Sequence, residues 1–265
     1  MTLRFGPFTK AHAVAAVLAA GALLAVGAAM VQGPTMPYTG QQRQAIGEIV
    51  KEYLLKNPEV LQEAIAELER RQQERQKVAQ ASALGESRDT LLNSPRDFTA
   101  GNLAGDITIV EFFDYNCGYC KRALTDLQAL MKGDPKVRLV LKDFPVLGPE
   151  SVEASRVALA VKKQLEGEKL FEYHVRLMET RGRVNGERAI AVAKEMGVDA
   201  AKLQKDMEAP EVRATIQDNV VLGDRLGLSG TPAFVVGDEI ISGAVGLEPM
   251  RKTIAGVRQC GKAVC

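Results

Sequence analysis

Tryptophan is absent from the 265 residues, and the aromatic residues together make up 5%. An aromatic platform for stacking bases or sugars therefore has little to be built from. No charge of one sign dominates: 34 Lys and Arg face 33 Asp and Glu, a formal net charge of +1. That balance excludes a basic nucleic-acid binder and an acidic disordered tail as the identity of the whole chain. Histidine is limited to His12 and His174, which leaves few ligands for a metal centre. There are only four cysteines, so stability must rest on an apolar core. Material for that core is present, with 46% hydrophobic and 25% charged residues, and the length suits one or two domains. No internal repeat is visible.

The long apolar run comes at the start. Arg4 and Lys10 precede an uncharged stretch from Ala13 to Val31, rich in Ala and Gly. Residues 1–33 read as a secretory signal with Gly27, Ala28 and Ala29 as a cleavage site, or as an anchor if the segment 13–31 is retained. Either way the rest of the chain is exported, and its cysteines meet an oxidising compartment. The expected location is the periplasm.

Gly33 to Gly40 is a Pro- and Gly-rich linker. Ile46, Ile49, Val50, Tyr53 and Leu54 then recur at helical spacing. Asn57-Pro58-Glu59 predicts a break and a new helix, with Asn57 as its cap and Pro58 in its first turn. Val60, Leu61, Ala64, Ile65 and Leu68 form a second stripe, and the polar run Glu69 to Lys77 continues it as a solvated helix, a linker or a stalk. Residues 34–93 are thus expected to be a helical region used for assembly.

Strands alternate with helices beyond residue 94. Ile107 to Phe113 (ITIVEFF) reads as a central strand buried on both faces. Lys121 to Met131 is helical and Val137 to Leu141 is a second strand. A helical block covers about 149–227, with interruptions at Arg181-Gly182, Gly197 and Pro210. Ala233 to Val236 and Glu239 to Ser242 read as a hairpin around Gly237-Asp238, and Leu247 to Val257 as a last helix. The order is that of an α/β domain.

The first strand runs into Asp114-Tyr115-Asn116-Cys117-Gly118-Tyr119-Cys120, directly before a helix. A C-x-x-C between strand and helix is a thiol–disulfide redox motif. Unpaired amides and the helix dipole favour a thiolate at Cys117, while Cys120 lies one turn on and faces inward. Cys117 is then the attacking sulfur and Cys120 the resolving one. Half a zinc site and an inert disulfide are the alternatives, and zinc would need two more ligands that the sequence does not place nearby.

FFDYNCGYCK (Phe112 to Lys121), with SGTPAFVVG (Ser229 to Gly237) downstream, resembles the DsbA family of thioredoxin-fold proteins. The resemblance covers about residues 94–257. It implies a thioredoxin fold interrupted by a helical block. It also implies that Pro232 is a cis-proline facing the dithiol, shielding it from metal ions, and that the backbone of Thr231 pairs with a substrate chain. The alternative for Pro232 is an ordinary trans turn before a strand.

Glu111 stands in an otherwise apolar strand, six residues before Cys117. Buried under a dithiol, its carboxyl would have a raised pKa and could relay the proton of Cys120, and the family resemblance supports an acid here. A strand-edge Glu reaching solvent is the alternative. Lys142 could partner Glu111, although a solvated strand end is the simpler reading. Tyr119 is the variable residue of the redox dipeptide; strongly oxidising relatives carry His there, and an uncharged Tyr should leave the disulfide less oxidising.

The Gly-Tyr dipeptide also resembles that of the dimeric isomerase DsbC. The helical N-terminal region before a DsbA-like domain resembles ScsC, the suppressor of copper sensitivity protein, which implies a homo-oligomer, with a trimer favoured, and isomerase activity. Cys260 and Cys265 at the C-terminus read first as a local structural disulfide, with a labile redox pair or a copper-binding pair as alternatives. His174 reads as a solvated or packed helical residue. The expectation is an exported thiol–disulfide oxidoreductase, most simply an isomerase, acting on unfolded or misfolded exported proteins and reset by a membrane redox partner. No small-molecule cofactor, resident metal or nucleic acid is implied. A monomeric oxidase or reductase and a copper(I) carrier using the same dithiol are the rivals.

Overall fold

The computed structural model describes residues 38–265. The expected export segment, 1–33, and most of the linker lie outside the described residues. Among the described residues no helix is long and apolar enough to cross a membrane. The chain divides into two compact units, one ending at Glu69 and one comprising Arg70–Cys265.

The described part of the first unit is helical. Helix α1 spans Gly40–Lys56, and α2 begins at Glu59 and runs to Glu86, so it extends into the second unit. Thr39 starts α1 with a reciprocal cap: its hydroxyl accepts from the Gln42 amide at 3.3 Å, and the Gln42 side chain accepts from the Thr39 amide at 2.8 Å. The helix therefore starts within the expected linker. Asn57 differs from expectation. Its side-chain amide donates to the Tyr53 carbonyl at 2.9 Å, so it closes α1 instead of capping α2. The carbonyls orphaned at the end of a helix compete for the same side chain, and here they win. Ile46, Ile49, Val50, Tyr53, Leu61, Ile65 and Leu68 are all exposed in the single chain.

The second unit adds α3 (Arg88–Asn93) and the strands β1 (Phe98–Gly101) and β2 (Ile107–Phe113). Helix α4 (Gly118–Gly133) and strand β3 (Val137–Asp143) follow. Five helices make up the inserted block: α5 (Pro149–Val161), α6 (Gly167–Glu179), α7 (Gly186–Glu195), α8 (Ala200–Met207) and α9 (Pro210–Arg225). The hairpin β4 (Ala233–Val236) and β5 (Glu239–Ser242) and helix α10 (Leu247–Cys260) complete the chain. The sheet order is β1-β3-β2-β4-β5, with β2 and β3 parallel and the other pairs antiparallel. This is a thioredoxin fold with a helical insert of the DsbA type.

The near-continuous apolar run of β2 has a direct cause. Ile109 and Phe113 enter one core with Leu139, Leu141, Leu127 and Leu177. Val110 and Phe112 enter a second core on the other face, with Val140, Phe144, Leu222 and Val235. Ala83, Leu84 and Leu91 belong to this second core, so the end of α2 and α3 are packed parts of the redox unit. Two features were not read from the sequence: the short edge strand β1, and a break between α5 and α6 over 162–166.

Lys142 corrects both readings offered for it. It does not end the strand in solvent, and it does not meet Glu111. Side chains alternate along a strand, so Lys142, level with Phe112, points to the face opposite Glu111. It is fully buried, paired with the Asp97 carboxylate, and donates to the Thr90 carbonyl at 3.0 Å. Asp97 immediately precedes β1, whose Phe98 lies beside Leu141, so this pair ties the edge strand to the sheet. Replacing Lys142 with Met strands a buried carboxylate and should cost about 3–5 kcal/mol in urea unfolding. Adding Asp97→Leu to Lys142→Met should recover most of that loss. A single variant as stable as wild type would contradict the pairing.

Candidate active site: a dithiol at a helix start

Strand β2 ends at Phe113, and four residues later the chain enters α4. Cys117 is the N-cap of that helix, with its backbone extended at φ −81° and ψ 114°. The residues between are held by Asp114, which is fully buried. Its carboxylate accepts from the Asn116 amide at 2.8 Å, the Ser151 hydroxyl at 2.7 Å and the Leu147 amide at 3.0 Å. Asn116 in turn bonds both backbone groups of Val184: its Oδ1 accepts from the amide at 2.7 Å, and its Nδ2 donates to the carbonyl at 2.9 Å. The redox loop is thus tied to α5 and to the loop before α7, both in the helical insert. Sequence reading passed over Asn116 and Ser151, because an Asn in a turn and a Ser near a helix start carry no distinctive signal.

Cys117 and Cys120 are both free thiols and both buried. Cys117 Sγ lies 3.1 Å from the Thr231 carbonyl. The Thr231–Pro232 bond is cis. This places Thr231 and Pro232, distant in sequence, against the dithiol. The hydrogen bond from the Cys120 thiol lowers the Cys117 pKa most, with further help from the Thr231 side chain and from the Cys120 and Tyr119 amides. These donors outweigh burial, and the Cys117 thiol falls to about 5. Cys120 moves the other way. Burial raises its pKa, and its bond to Cys117 and the charge of Glu111 raise it further.

Glu111 is buried beneath the pair, between Leu141 on β3 and Phe234 on β4. Burial, and then the Cys117 thiolate, raise its pKa to about 8. Its Oε1 has no hydrogen-bond partner. Tyr119 is 60% exposed, and the Arg122 guanidinium stacks 4.5 Å from its ring centroid. A cation thus stands beside the dipeptide although the dipeptide itself is uncharged. It comes from one helical turn on, where residues three apart share a face. His174 is packed in the core, edge-on to Phe113 at 4.8 Å, with Nδ1 3.3 Å from the Tyr115 hydroxyl. Burial depresses its pKa to about 3.

Cys260 and Cys265 lie away from this site and are joined to each other. Both sulfurs approach the Gly256 carbonyl, at 3.5 and 3.4 Å. The tail crosses α10 so closely there that a Cβ on Gly256 would sit 2.3 Å from the Ala263 carbonyl oxygen, so only glycine fits. Among the described residues no group of three or more His, Cys, Asp or Glu is placed to hold a metal ion.

A buried dithiol at a helix start, facing a cis-proline on a thioredoxin fold, defines the class of thiol–disulfide exchange domains. Residues 108–255 match the DSBA-like thioredoxin domain, and the chain belongs to that family. Residues 42–75 match the N-terminal domain of the copper resistance protein ScsC. A thioredoxin-like oxidoreductase from Silicibacter pomeroyi is 43% identical, covering 65% of this chain and 98% of that one, with a TM-score of 0.62. Proteus mirabilis ScsC, solved in a transitional conformation, is 29% identical over 83% of this chain and 96% of its own, with a TM-score of 0.60. The thiol:disulfide interchange protein DsbA of Bordetella pertussis is 27% identical, covering 53% of this chain and 68% of that protein. The Na+/H+ antiporter NhaA 1 of Salinispora arenicola is 23% identical over 161 residues, and the match spans 24% of the antiporter.

The lowered Cys117 pKa sets a pH dependence. Between pH 5 and 7 the folded, reduced protein holds a thiolate that the unfolded chain would protonate, so this thiol's contribution to stability rises with pH, while the raised Glu111 carboxyl contributes the opposite slope. That gain is lost as pH falls through about 5. Urea midpoints of the reduced protein, taken relative to the oxidised protein, should therefore increase from pH 5 to 7. Iodoacetamide at neutral pH should modify Cys117 and spare Cys120. Equal labelling, or a thiolate absorbance midpoint above about 8.5, would contradict this assignment.

Proposed function

We propose that the protein is a periplasmic thiol–disulfide oxidoreductase that isomerises wrongly paired disulfides in exported proteins. The observation that carries this is the opposite shift of the two thiols, with Cys117 kept as thiolate and Cys120 kept protonated beside it. The Cys117 thiolate attacks a substrate disulfide; a bond forms between Cys117 Sγ and one substrate sulfur, and the other sulfur leaves as a thiolate and takes up a proton. The mixed disulfide then has two fates. A substrate thiol can displace Cys117, which returns the enzyme unchanged and re-pairs the substrate. Alternatively Cys120 loses its proton to Glu111 and attacks Cys117, which releases a substrate dithiol and leaves the enzyme oxidised by two electrons. A membrane reductant would reset that form. Thr231, whose carbonyl lies 3.1 Å from Cys117 Sγ, would pair through its backbone with the substrate chain during both steps.

Assembly supports the isomerase direction. The stripes on α1 and the start of α2 are exposed in one chain, while a match to the ScsC N-terminal domain covers the same residues. Burying such stripes against other copies would produce a homo-oligomer, with a trimer implied by the resemblance to ScsC. Several dithiols around one substrate raise their effective concentration and favour repeated exchange. A periplasmic thioredoxin-like protein from Salmonella enterica, 28% identical, supports the compartment.

The test is refolding of a scrambled disulfide protein by the mature chain and by a form lacking 41–68. The mature chain should sediment as an oligomer and restore activity. The shortened form should be monomeric, keep thiol exchange and lose isomerisation. A monomeric mature chain, or one that binds copper(I) stoichiometrically and exchanges no disulfides, would overturn the reading. Glu111→Gln should slow release of mixed disulfides about 10²-fold and abolish the pH dependence of that step, whose midpoint lies below the value of about 8 that Glu111 has beside the Cys117 thiolate. An unchanged profile would remove Glu111 from the proton path.

A further inference from the structure

The chain as a whole is almost neutral, yet its charge is not evenly spread around the dithiol. The loop between α6 and α7 lies against both ends of the redox loop. Val184 is bonded to Asn116, the residue before Cys117, and Lys121, the residue after Cys120, donates to the Thr180 carbonyl at 2.7 Å. This loop and the first turn of α7 carry Arg181, Arg183 and Arg188, all exposed, with Glu187 the one acid over 180–188. The start of α4 adds Lys121 and Arg122. The Arg188 guanidinium donates to the Arg181 carbonyl and, after burial, depresses the Lys121 pKa by its charge, so these cations are close neighbours.

Only Arg183 of the five is neutralised, by Glu150 at 3.0 Å. Lys121, Arg122, Arg181 and Arg188 make no ion pair with an acid among the described residues. The other rim of the site is different. Ser242 to Gly246, where the Gly243 amide donates to the Pro232 carbonyl at 2.8 Å, contains no charged residue, and Val245 is exposed there. Held-together, unpaired cations are electrostatically costly, and an anionic partner relieves that cost. Their loop is bonded to the residues on both flanks of the C-x-x-C, so an anionic partner that relieves the cost would lie close to the dithiol.

We propose that the Lys121–Arg122–Arg181–Arg188 cluster is a specificity surface that selects substrate cysteines flanked on one side by acidic residues. This rests on the oxidoreductase reading above and adds the substrate class to it. An acidic flank is drawn to the insert side of the dithiol, which raises the encounter rate of its disulfide with the Cys117 thiolate. The chemistry stays the same: Cys117 Sγ bonds to the peptide sulfur and the second sulfur of that disulfide leaves as a thiolate. Cys120 then closes the enzyme disulfide and releases the peptide thiol, so the probe disulfide is reduced by two electrons.

The test uses the reduced, mature protein and single-cysteine peptides carried as mixed disulfides with 2-mercaptoethanol. Otherwise identical peptides have Glu, Lys or Gln on the flanks of the cysteine. The Glu peptide should react about tenfold faster than the Lys peptide at low ionic strength. That ratio should approach one at ~1 M salt, where screening acts within about 3 Å. Arg181→Glu with Arg188→Glu should bring the low-salt ratio to one or invert it. Brisk exchange with the Gln peptide but a Glu-to-Lys ratio near one at low salt would overturn the specificity proposal alone. No exchange with the Gln peptide would overturn the oxidoreductase reading and this proposal with it.

Discussion

A single negative charge on sulfur, kept in a buried place, governs the rest of this structure. Cys117 is 6% exposed, and a thiolate there is costly unless donors surround it. The helix start supplies amides, Cys120 supplies its thiol, and Thr231 comes from the far end of the sequence. Each donor constrains the fold. The amides require the helix to begin at Gly118, the thiol requires the second cysteine one turn on, and Thr231 requires β4 to lie beside β2. The same charge acts on Glu111, whose proton is held more tightly while the thiolate persists. The charge states of the three groups therefore depend on one another, and in the proposed mechanism Glu111 takes the proton of Cys120 once Cys117 is no longer charged.

Much of this was legible in the sequence because it depends on local patterns. ITIVEFF declared a strand buried on both faces, and the two cores on either side of β2 account for every apolar position in it. Gly237-Asp238 marked the hairpin, whose strands have the bounds read from the sequence. The dithiol motif stood out because redox chemistry requires that spacing at that junction. What escaped notice depends on pairings distant in sequence. Strand β1 is four residues long and exists because β3 offers it an edge. Lys142 looked like a strand end because its partner, Asp97, lies 45 residues earlier. Arg122 was overlooked because its effect depends on a ring three residues before it, which matters only once a helix has formed.

The helical insert does more than enlarge the fold. Asn116 and Asp114 hold the redox loop through Val184, Leu147 and Ser151, so the position of Cys117 is shared between the sheet and the insert. A shift of α5 or of the loop before α7 would move the attacking sulfur relative to Thr231. The insert also brings Arg181 and Arg188 to join Lys121 and Arg122 of α4, so it contributes to both position and charge.

The C-terminal disulfide has its own consequence. It joins Cys260 at the end of α10 to Cys265, and so holds the segment after the helix back over Gly256. Reduction of that bond by a thiol would leave Cys260 as a solvent-exposed thiol at a helix end. That thiol would attack the oxidised Cys117–Cys120 bond of another copy, joining Cys117 and releasing Cys120 as a thiol, so on the proposed chemistry the protein would become a substrate for itself.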